Sequence, residues 1–183
     1  LKLHDIPATV ERATARAAAL GVRYLTIHAA GGRAMIEAAL KGAEASGTGL
    51  TILAVTVLTS LDDTDLAQLG VAGTASDHAL RLARLAHAVG ARGFVCSPGE
   101  LPALRAAFGD EVTLVTPGIR PSGAAVGDQK RTGTPRQAIL DGANVLVVGR
   151  PIRDAADPGI AARGVLDEIA AAAATLPGHA ALR

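Results

Sequence analysis

Aromatic side chains are scarce in this sequence: they make up 2% of its 183 residues, and tryptophan is absent. Surfaces that bind single-stranded nucleic acid depend on such side chains to stack against bases. The formal net charge is only +1, and the basic residues are dispersed along the chain rather than clustered. Without stacking aromatics or a basic patch, we expect no binding to nucleic acid.

Cysteines and long apolar runs are also scarce. Cys96 is the only cysteine, so no disulfide can form within the chain, and this fits the reducing cytoplasm, where we expect the protein to work. The longest apolar stretch, ILAVTVL at 52–58, is far shorter than the ~20 residues of a membrane-spanning helix, so we expect no membrane contact. With 49% hydrophobic and 19% charged residues, the composition instead predicts a single globular domain over residues 1–183.

What the sequence does contain is a regular alternation of short β-branched runs with longer stretches rich in Ala, Leu and Arg. Strands are predicted at 22–29, 50–58, 92–97, 112–118 and 144–150, with Leu1–Leu3 as the end of a further strand. Helices are predicted at 8–20, 32–46, 75–90, 98–108, 134–142 and 158–175. Several strand candidates are continuous apolar runs, which are typical of parallel strands covered on both faces. The pattern therefore predicts a parallel α/β fold.

Two architectures fit this alternation, an open doubly wound sheet and a (β/α)8 barrel. A dinucleotide-binding open sheet should carry G-x-G-x-x-G after its first strand, and this motif is missing. Polar residues instead lie at the carboxyl ends of successive strands: His28, Thr59, Ser97, Arg120 and Arg150. Chemistry drawn from several strand ends is typical of the barrel, which needs eight strands and about 200 residues or more. We therefore predict a (β/α)8 TIM barrel truncated at its N-terminus, with about two β/α units missing.

Three motifs carry candidate chemistry at the predicted strand ends. LKLHDIP, at 1–7, places the ammonium of Lys2 three positions from the carboxylate of Asp5, although such a pair is more often a surface ion pair. VTPGIRPSGAAVGDQKR, at 115–131, is a loop rich in Gly and Pro that can either wrap an anion or form a solvated turn. VLVVGRPI, at 145–152, includes the last strand and the start of the loop after it, where barrels often bind phosphate.

The order and spacing of these blocks resemble the orotidine 5′-phosphate decarboxylase family, in the subgroup with the signature D-L-K-F-H-D-I-P-N-T. The chain has LKLHDIPAT at its start, VTVLTS at 55–60, TPGIRP at 116–121, GDQ at 127–129 and VVGRPI at 147–152. Superfamily relatives that act on sugar phosphates share D-x-K-x-x-D but not these flanks. The resemblance implies decarboxylation of orotidine 5′-monophosphate to uridine 5′-monophosphate in pyrimidine biosynthesis, without metal or organic cofactor, by a homodimer with shared active sites.

The resemblance also implies a role for each matching residue. Lys2 matches the catalytic lysine that stabilises the C6 carbanion and then protonates it. Asp5, the second catalytic candidate, and Thr9 match residues that reach the neighbouring subunit's active site near the ribose. Ile6 matches the apolar residue beside the reacting carbon, and Thr59 matches the residue that contacts the pyrimidine. The residues that match the phosphate-binding group are Arg120, Gln129, Gly149 and Arg150.

The main departure from the family pattern is at the start of the chain. The D-x-K aspartate of the family would stand immediately before Leu1, so Lys2 lacks that carboxylate in the 183-residue sequence. We therefore expect residues 1–183 alone to lack normal decarboxylase activity. Two alternatives stay open: a Mg²⁺-dependent sugar-phosphate lyase or decarboxylase of the same superfamily, and a catalytically inactive fragment that binds nucleotide phosphate.

Three further groups are interpreted as structural. His28 is expected to be a packed or hydrogen-bonded residue at a strand end rather than a general base. Cys96 is expected to be a small buried hydrophobic side chain. The acidic stretch LDDTDL, at 61–66, indicates the N-terminal turn of a helix, which favours negative charge, rather than a metal site.

Overall fold

A six-stranded parallel sheet forms the centre of the computed structural model, which describes residues 1–121 and 130–176. Hydrogen-bonded neighbours follow chain order from the first strand to the sixth. The strands are β1 Lys2–Leu3, β2 Tyr24–His28, β3 Thr51–Val55, β4 Gly93–Val95, β5 Thr113–Thr116 and β6 Val145–Leu146. This sequential, all-parallel order is that of barrel strands. The predicted TIM-barrel class is confirmed, in the form of a six-stranded part of such a barrel.

Helices connect each strand to the next and follow the last one. They are α1 Pro7–Ala18, α2 Gly32–Glu44, α3 Asp63–Gln68, α4 Ala75–Ala88, α5 Leu101–Phe108, α6 Pro135–Leu140, α7 Arg150–Arg153 and α8 Pro158–Ala173. Short 3₁₀ turns precede α2 and α5. The alternation predicted from the sequence is therefore confirmed. The helix α7 was not predicted, because a segment of only four residues has no measurable helical periodicity.

The strand β6 is much shorter than the predicted 144–150. The Val147 amide still donates to the Thr116 carbonyl of β5, at 2.9 Å. The backbone then turns at Gly149, which has φ −102° and ψ −102°, and α7 begins at Arg150. The strand β6 is therefore short because the chain leaves the sheet at Gly149 and forms the loop that carries two of the predicted phosphate-binding residues, Gly149 and Arg150.

The core is aliphatic, with Phe94 of β4 as its largest fully buried side chain. Ile27 of β2 and Leu114 of β5 belong to the same cluster, together with Leu101 and Leu104 of α5. The burial of these apolar residues, at about 25 cal/mol per Å², is the main source of stability. None of the helices in residues 1–121 and 130–176 has the length and apolarity needed to cross a bilayer.

Close packing of α1 on α2 fixes the position of the residues that lead into α1. A Cβ atom at Gly42 of α2 would lie 2.5 Å from the Glu11 carbonyl oxygen of α1. Helices can approach this closely only where one of them lacks a side chain. The Lys41 ammonium adds an ion pair to the Glu11 carboxylate at 2.9 Å. The contact holds α1, and with it the segment 4–9, in a defined orientation at the carboxyl end of β1.

Candidate active site

The predicted functional residues lie together at one edge of the sheet, here meaning the line of strand ends rather than an outer strand. Because β1 to β6 are parallel, their carboxyl ends all lie at that edge. These residues are Lys2 on β1 with Asp5, Ile6 and Thr9 after it, Thr59 after β3, Arg120 after β5, and Gly149 with Arg150 after β6. The remaining predicted site residue, Gln129, lies outside the described residues.

Lys2 lies on an edge strand with its backbone held and its side chain exposed. Its register partner on β2 is Thr26. The Thr26 hydroxyl donates a 2.7 Å hydrogen bond to the carbonyl of Leu1, which fixes the backbone immediately before Lys2. The neighbouring strand thus orients the lysine while its ammonium remains accessible.

A pair of stacked histidines lies beside Lys2. The rings of His4 and His28 have centroids 5.2 Å apart and planes inclined by 25°. Burial lowers the pKa of His28 below its usual value, and the nearby His4 and Lys2 charges lower it further. His28 is therefore the packed strand-end residue that the sequence predicts. Its pairing with His4 was not foreseen, because the two residues are distant in sequence.

The turn from β1 into α1 carries three of the predicted residues. The Ile6 amide donates to Asp5 Oδ1 at 2.7 Å, and the Thr9 amide donates to the Ile6 carbonyl at 3.1 Å. Ile6 precedes Pro7, the first residue of α1, and its side chain is 67% exposed. A surface depression of about 550 Å³ is lined by His4, Asp5, Ile6, Pro7, Ala30 and Gly31. The apolar side chain of Ile6 and the carboxylate of Asp5 thus line the same depression.

The segment 130–133 connects the carboxyl ends of β3 and β5 through backbone hydrogen bonds. The Lys130 amide donates to the Thr59 carbonyl at 3.1 Å, on the β3 side. On the β5 side, the Arg120 amide donates to the Gly133 carbonyl at 2.9 Å, and the Gly133 amide donates to Gly118 at 3.3 Å. The Arg120 guanidinium also donates to the Ile119 carbonyl at 2.8 Å. Thr59 and Arg120 are therefore linked through one short stretch of backbone, 130–133.

Lys130, which the sequence suggested as part of an anion-binding loop, is held by two carboxylates. Its Nζ lies 2.8 Å from Asp62 Oδ2 and 2.7 Å from Asp65 Oδ2. The hydrogen bond from Lys130 is the largest cause that lowers the pKa of Asp62 to about 2. Asp62 and Asp65 also form a reciprocal capping box at the start of α3, with both amide–carboxylate bonds at 3.0 Å. The prediction of a helix N-terminal turn at this acidic stretch is confirmed.

Arg131, the last residue of the 115–131 motif, makes contacts that the motif itself does not indicate. Its guanidinium donates to the carbonyls of Val57 at 3.0 Å and Leu58 at 2.9 Å, both just after β3. It also donates to Ser97 Oγ at 3.2 Å and is paired with the buried Glu100 carboxylate. Glu100 Oε2 in turn accepts from the Ser97 amide at 2.7 Å. The S-P-G-E sequence, a capping-box pattern, was the one available sign of this cluster.

Cys96 lies just after β4, close to the Arg131 cluster, and is buried. Burial raises the pKa of its thiol to about 12. The thiolate is therefore scarce at neutral pH, and the side chain acts as a small hydrophobic group. The interpretation from the sequence is confirmed.

The loop after β6 contributes Gly149 and Arg150. A Cβ atom at Gly149 would have no heavy atom within 4 Å, so the backbone borders open space. Arg150 is the first residue of α7 and is half-buried. A glycine backbone that borders open space, followed by an arginine, offers amide and guanidinium donors of the kind that bind anionic groups.

The sequence profile of the orotidine 5′-phosphate decarboxylase / HUMPS family matches residues 1–165. An orotidine 5′-phosphate decarboxylase of Anaeromyxobacter sp. is 57% identical over 165 residues, which cover 90% of this chain and 71% of that protein. One of Thermobifida fusca is 52% identical over 169 residues, covering 92% and 71%. The crystal structure of orotidine 5′-phosphate decarboxylase from Lactobacillus acidophilus superposes with a TM-score of 0.78 at 38% identity, covering 92% of this chain and 73% of that chain. The chain belongs to the orotidine 5′-phosphate decarboxylase / HUMPS family.

Proposed function

We propose that the protein decarboxylates orotidine 5′-monophosphate to uridine 5′-monophosphate in pyrimidine biosynthesis, without metal or organic cofactor. The observation that carries this proposal is the position of the family's sequence blocks. Each block within the described residues includes the carboxyl end of a parallel strand or the residues that follow it, the edge where barrel enzymes hold their active sites. Eight relatives that are 50% to 57% identical to this chain carry the name orotidine 5′-phosphate decarboxylase.

Lys2 is the proposed catalytic group. When the bond between C6 and the carboxylate breaks, CO₂ leaves and the electron pair stays in an sp² orbital that the ring cannot delocalise. A fixed ammonium beside C6 stabilises this charge and then supplies the proton that forms the new C6–H bond. The exposed Lys2 side chain on a backbone held by β2 suits this role. Asp5, three residues later, adds a carboxylate to the same end of β1.

The substrate's phosphate lies, in this proposal, against Arg120, Gln129, Gly149 and Arg150. The pyrimidine contacts Thr59, and Ile6 lies beside the reacting carbon. Phosphate contacts are remote from C6, yet the binding energy they provide can be used to assemble the reactive geometry. Enzymes lower barriers by roughly 8–23 kcal/mol, and this reaction needs the upper part of that range.

The direct test measures the loss of orotidine 5′-monophosphate absorbance by the complete gene product in the presence of a metal chelator. We expect full activity, because the proposed mechanism uses side chains alone. Activity that disappears with chelator and returns with Mg²⁺ would favour the sugar-phosphate lyase alternative, and sugar phosphates would then be the next substrates to assay. Binding of uridine 5′-monophosphate without any turnover would favour the inactive nucleotide-binding alternative.

The proposal includes a homodimer in which Asp5 and Thr9 reach the partner's active site. Both residues lie at the entry to α1, where the exposed Ile6 and the depression beside it offer a surface for a second copy. The test mixes a Lys2→Ala subunit with an Asp5→Ala subunit, each inactive alone. Shared sites predict that mixed dimers regain one intact site. Confirmed subunit exchange with no recovered activity would exclude shared sites.

A further inference from the structure

We infer that Arg131 is a positioning residue for the proposed decarboxylation: it fixes the segment 130–133, and through that segment the relative placement of Thr59 and Arg120. The inference rests on the proposed function, because it assigns Thr59 to the pyrimidine and Arg120 to the phosphate. Arg131 itself touches neither group in this assignment. Its effect is carried by the backbone on both sides of it.

The contacts of Arg131 reach two strand ends at once. Two of its acceptors are backbone carbonyls just after β3, Val57 and Leu58, and two are side chains after β4, Ser97 and Glu100. The side chains of Arg131 and Glu100 are only 17% and 3% exposed. A guanidinium donates in a fixed plane, so acceptors in several directions leave it one orientation. The backbone at residue 131 is therefore held to both β3 and β4.

The neighbours of Arg131 in sequence carry this constraint to the proposed substrate contacts. One residue earlier, the Lys130 amide donates to the Thr59 carbonyl at 3.1 Å. Two residues later, the Gly133 carbonyl accepts from the Arg120 amide at 2.9 Å. If the guanidinium contacts are lost, both hydrogen bonds lose their common support. The distance between the pyrimidine and phosphate contacts is then no longer fixed.

Arg105 provides a matched control within the same chain. Its side chain is 16% exposed, and it donates to the carbonyls of Gly109, Val112 and Gly142. Val112 and Gly142 precede β5 and β6, at the opposite end of the sheet from the proposed site. Replacement of Arg105 removes a guanidinium of nearly equal exposure that also donates to backbone carbonyls, and its contacts lie away from the carboxyl ends of the strands.

The experiment compares Arg131→Met, Arg131→Lys and Arg105→Met in the complete gene product. It measures kcat and KM for orotidine 5′-monophosphate, the Kd of the product uridine 5′-monophosphate by calorimetry, and Tm. Because a misplacement of ~1 Å can cost about 100-fold, we expect Arg131→Met to raise KM and Kd between about 10- and 100-fold. Arg131→Lys keeps the charge beside Glu100 but not the planar fork, so it should restore part of the loss. Arg105→Met should lower Tm with KM and Kd unchanged.

The outcomes separate the inference from the proposed function. A wild-type protein with no turnover of orotidine 5′-monophosphate would reject both. Normal wild-type turnover with unchanged KM and Kd in Arg131→Met would reject the inference alone. It would also be rejected if Arg105→Met raised KM and Kd as much, since the effect would then be general loss of stability. If Arg131→Met does not fold, Arg131→Lys carries the test, because it keeps the charge but loses the planar set of donors, and an unchanged KM and Kd in that variant would overturn the inference.

Discussion

At each end of the sheet a half-buried arginine links neighbouring loops, and the two arginines, Arg105 and Arg131, use different partners. At the amino end, Arg105 donates to loop carbonyls and to the Asn144 side chain, which also accepts from the Leu114 amide at 2.8 Å. At the carboxyl end, Arg131 adds a buried carboxylate, Glu100, to its carbonyl acceptors. The attraction within a buried ion pair must offset the cost of desolvating both charges, so such a pair is weak evidence of a stabilising role alone.

The difference indicates a division of roles between the two ends. At the amino end, the Arg105 guanidinium links neighbouring loops through hydrogen bonds and contributes stability. At the carboxyl end, Lys2, Asp5, Ile6 and Gly149 remain exposed, and the ion pair organises the loops around them. Stabilising contacts on one face and reactive groups on the other are typical of barrel enzymes. The following predictions, from the largest expected effect to the smallest, test this division.

Lys2→Ala should have the largest effect and should act on activity alone. We expect kcat to fall by at least about 1,000-fold, because one group supplies both charge stabilisation and the proton. Tm should hardly change, since exposed surface substitutions usually stay within about 0.5 kcal/mol. Arg84→Ala, which removes an exposed cation on α4, is the control and should leave kcat unchanged. A Lys2→Ala enzyme with wild-type kcat would remove Lys2 from the mechanism.

Arg150→Ala should lower kcat/KM mainly through KM. Loss of one charge-assisted contact to phosphate should cost about 1.5–3 kcal/mol, or roughly 10- to 150-fold. The matched control is Arg153→Ala on the same short helix, where the arginine is exposed and paired with Asp154 at 2.6 Å. Equal effects of the two substitutions would mean that Arg150 has no specific role.

Two glycine substitutions compare the ends of the sheet directly. Gly142 has φ +98°, and a Cβ there would lie 2.7 Å from Arg105 Cγ, so Gly142→Ala should lower the free energy of unfolding by about 1–3 kcal/mol with KM unchanged. A Cβ at Gly133 would lie 2.6 Å from Pro98 Cβ and should push the segment 130–133 away from β4. We expect Gly133→Ala to raise KM by on the order of 10-fold.

Urea titrations and steady-state kinetics on both glycine variants provide the measurement. The comparison fails if Gly142→Ala raises KM, or if Gly133→Ala changes stability but not KM. Either result would mean that both ends of the sheet serve the same role.

The smallest expected effect concerns the protonation of His28. Its pKa should lie below 6.5 in the folded protein, chiefly because it is buried. The unfolded chain then binds more protons in the interval between that lowered pKa and 6.5, so stability falls as the pH drops through this interval and is unaffected above it. Titration by NMR should show the His28 pKa rising in His4→Asn, while His78 on α4 is unaffected. A His28 pKa of 6.5 or above would contradict the structure.

The fold could be predicted from the sequence because parallel strands covered on both faces leave continuous apolar runs such as those at 52–58. Strand ends could not be placed as well, since β6 stops where the backbone of Gly149 turns away. Polar residues at strand ends did predict the position of the site, because the carboxyl ends of parallel strands all lie at the same end of the sheet.

Pairings between distant segments were beyond the sequence. Arg131 and Glu100 are 31 residues apart, and the S-P-G-E pattern indicates the bond between Ser97 and Glu100 but not the pairing of Glu100 with Arg131. Lys130 belongs to the Gly-rich loop for which the sequence leaves open an anion site or a solvated turn, and its partners are not visible in that loop. Its carboxylates, Asp62 and Asp65, lie 68 and 65 residues earlier. Ion pairs of this range depend on the assembled sheet.

The sequential strand order also has a consequence for how the chain folds. Each strand pairs with the strand before it, so a folding chain can add one strand and its helix at a time to the outer strand of the sheet already formed. Contacts that are local in sequence form early because little loop entropy is lost in closing them. The bond from Arg131 to the Val57 carbonyl spans 74 residues, so it can form only after β3, β4 and β5 are in place. In refolding, we expect the sheet to form first and the loops at the carboxyl ends of the strands to become ordered last.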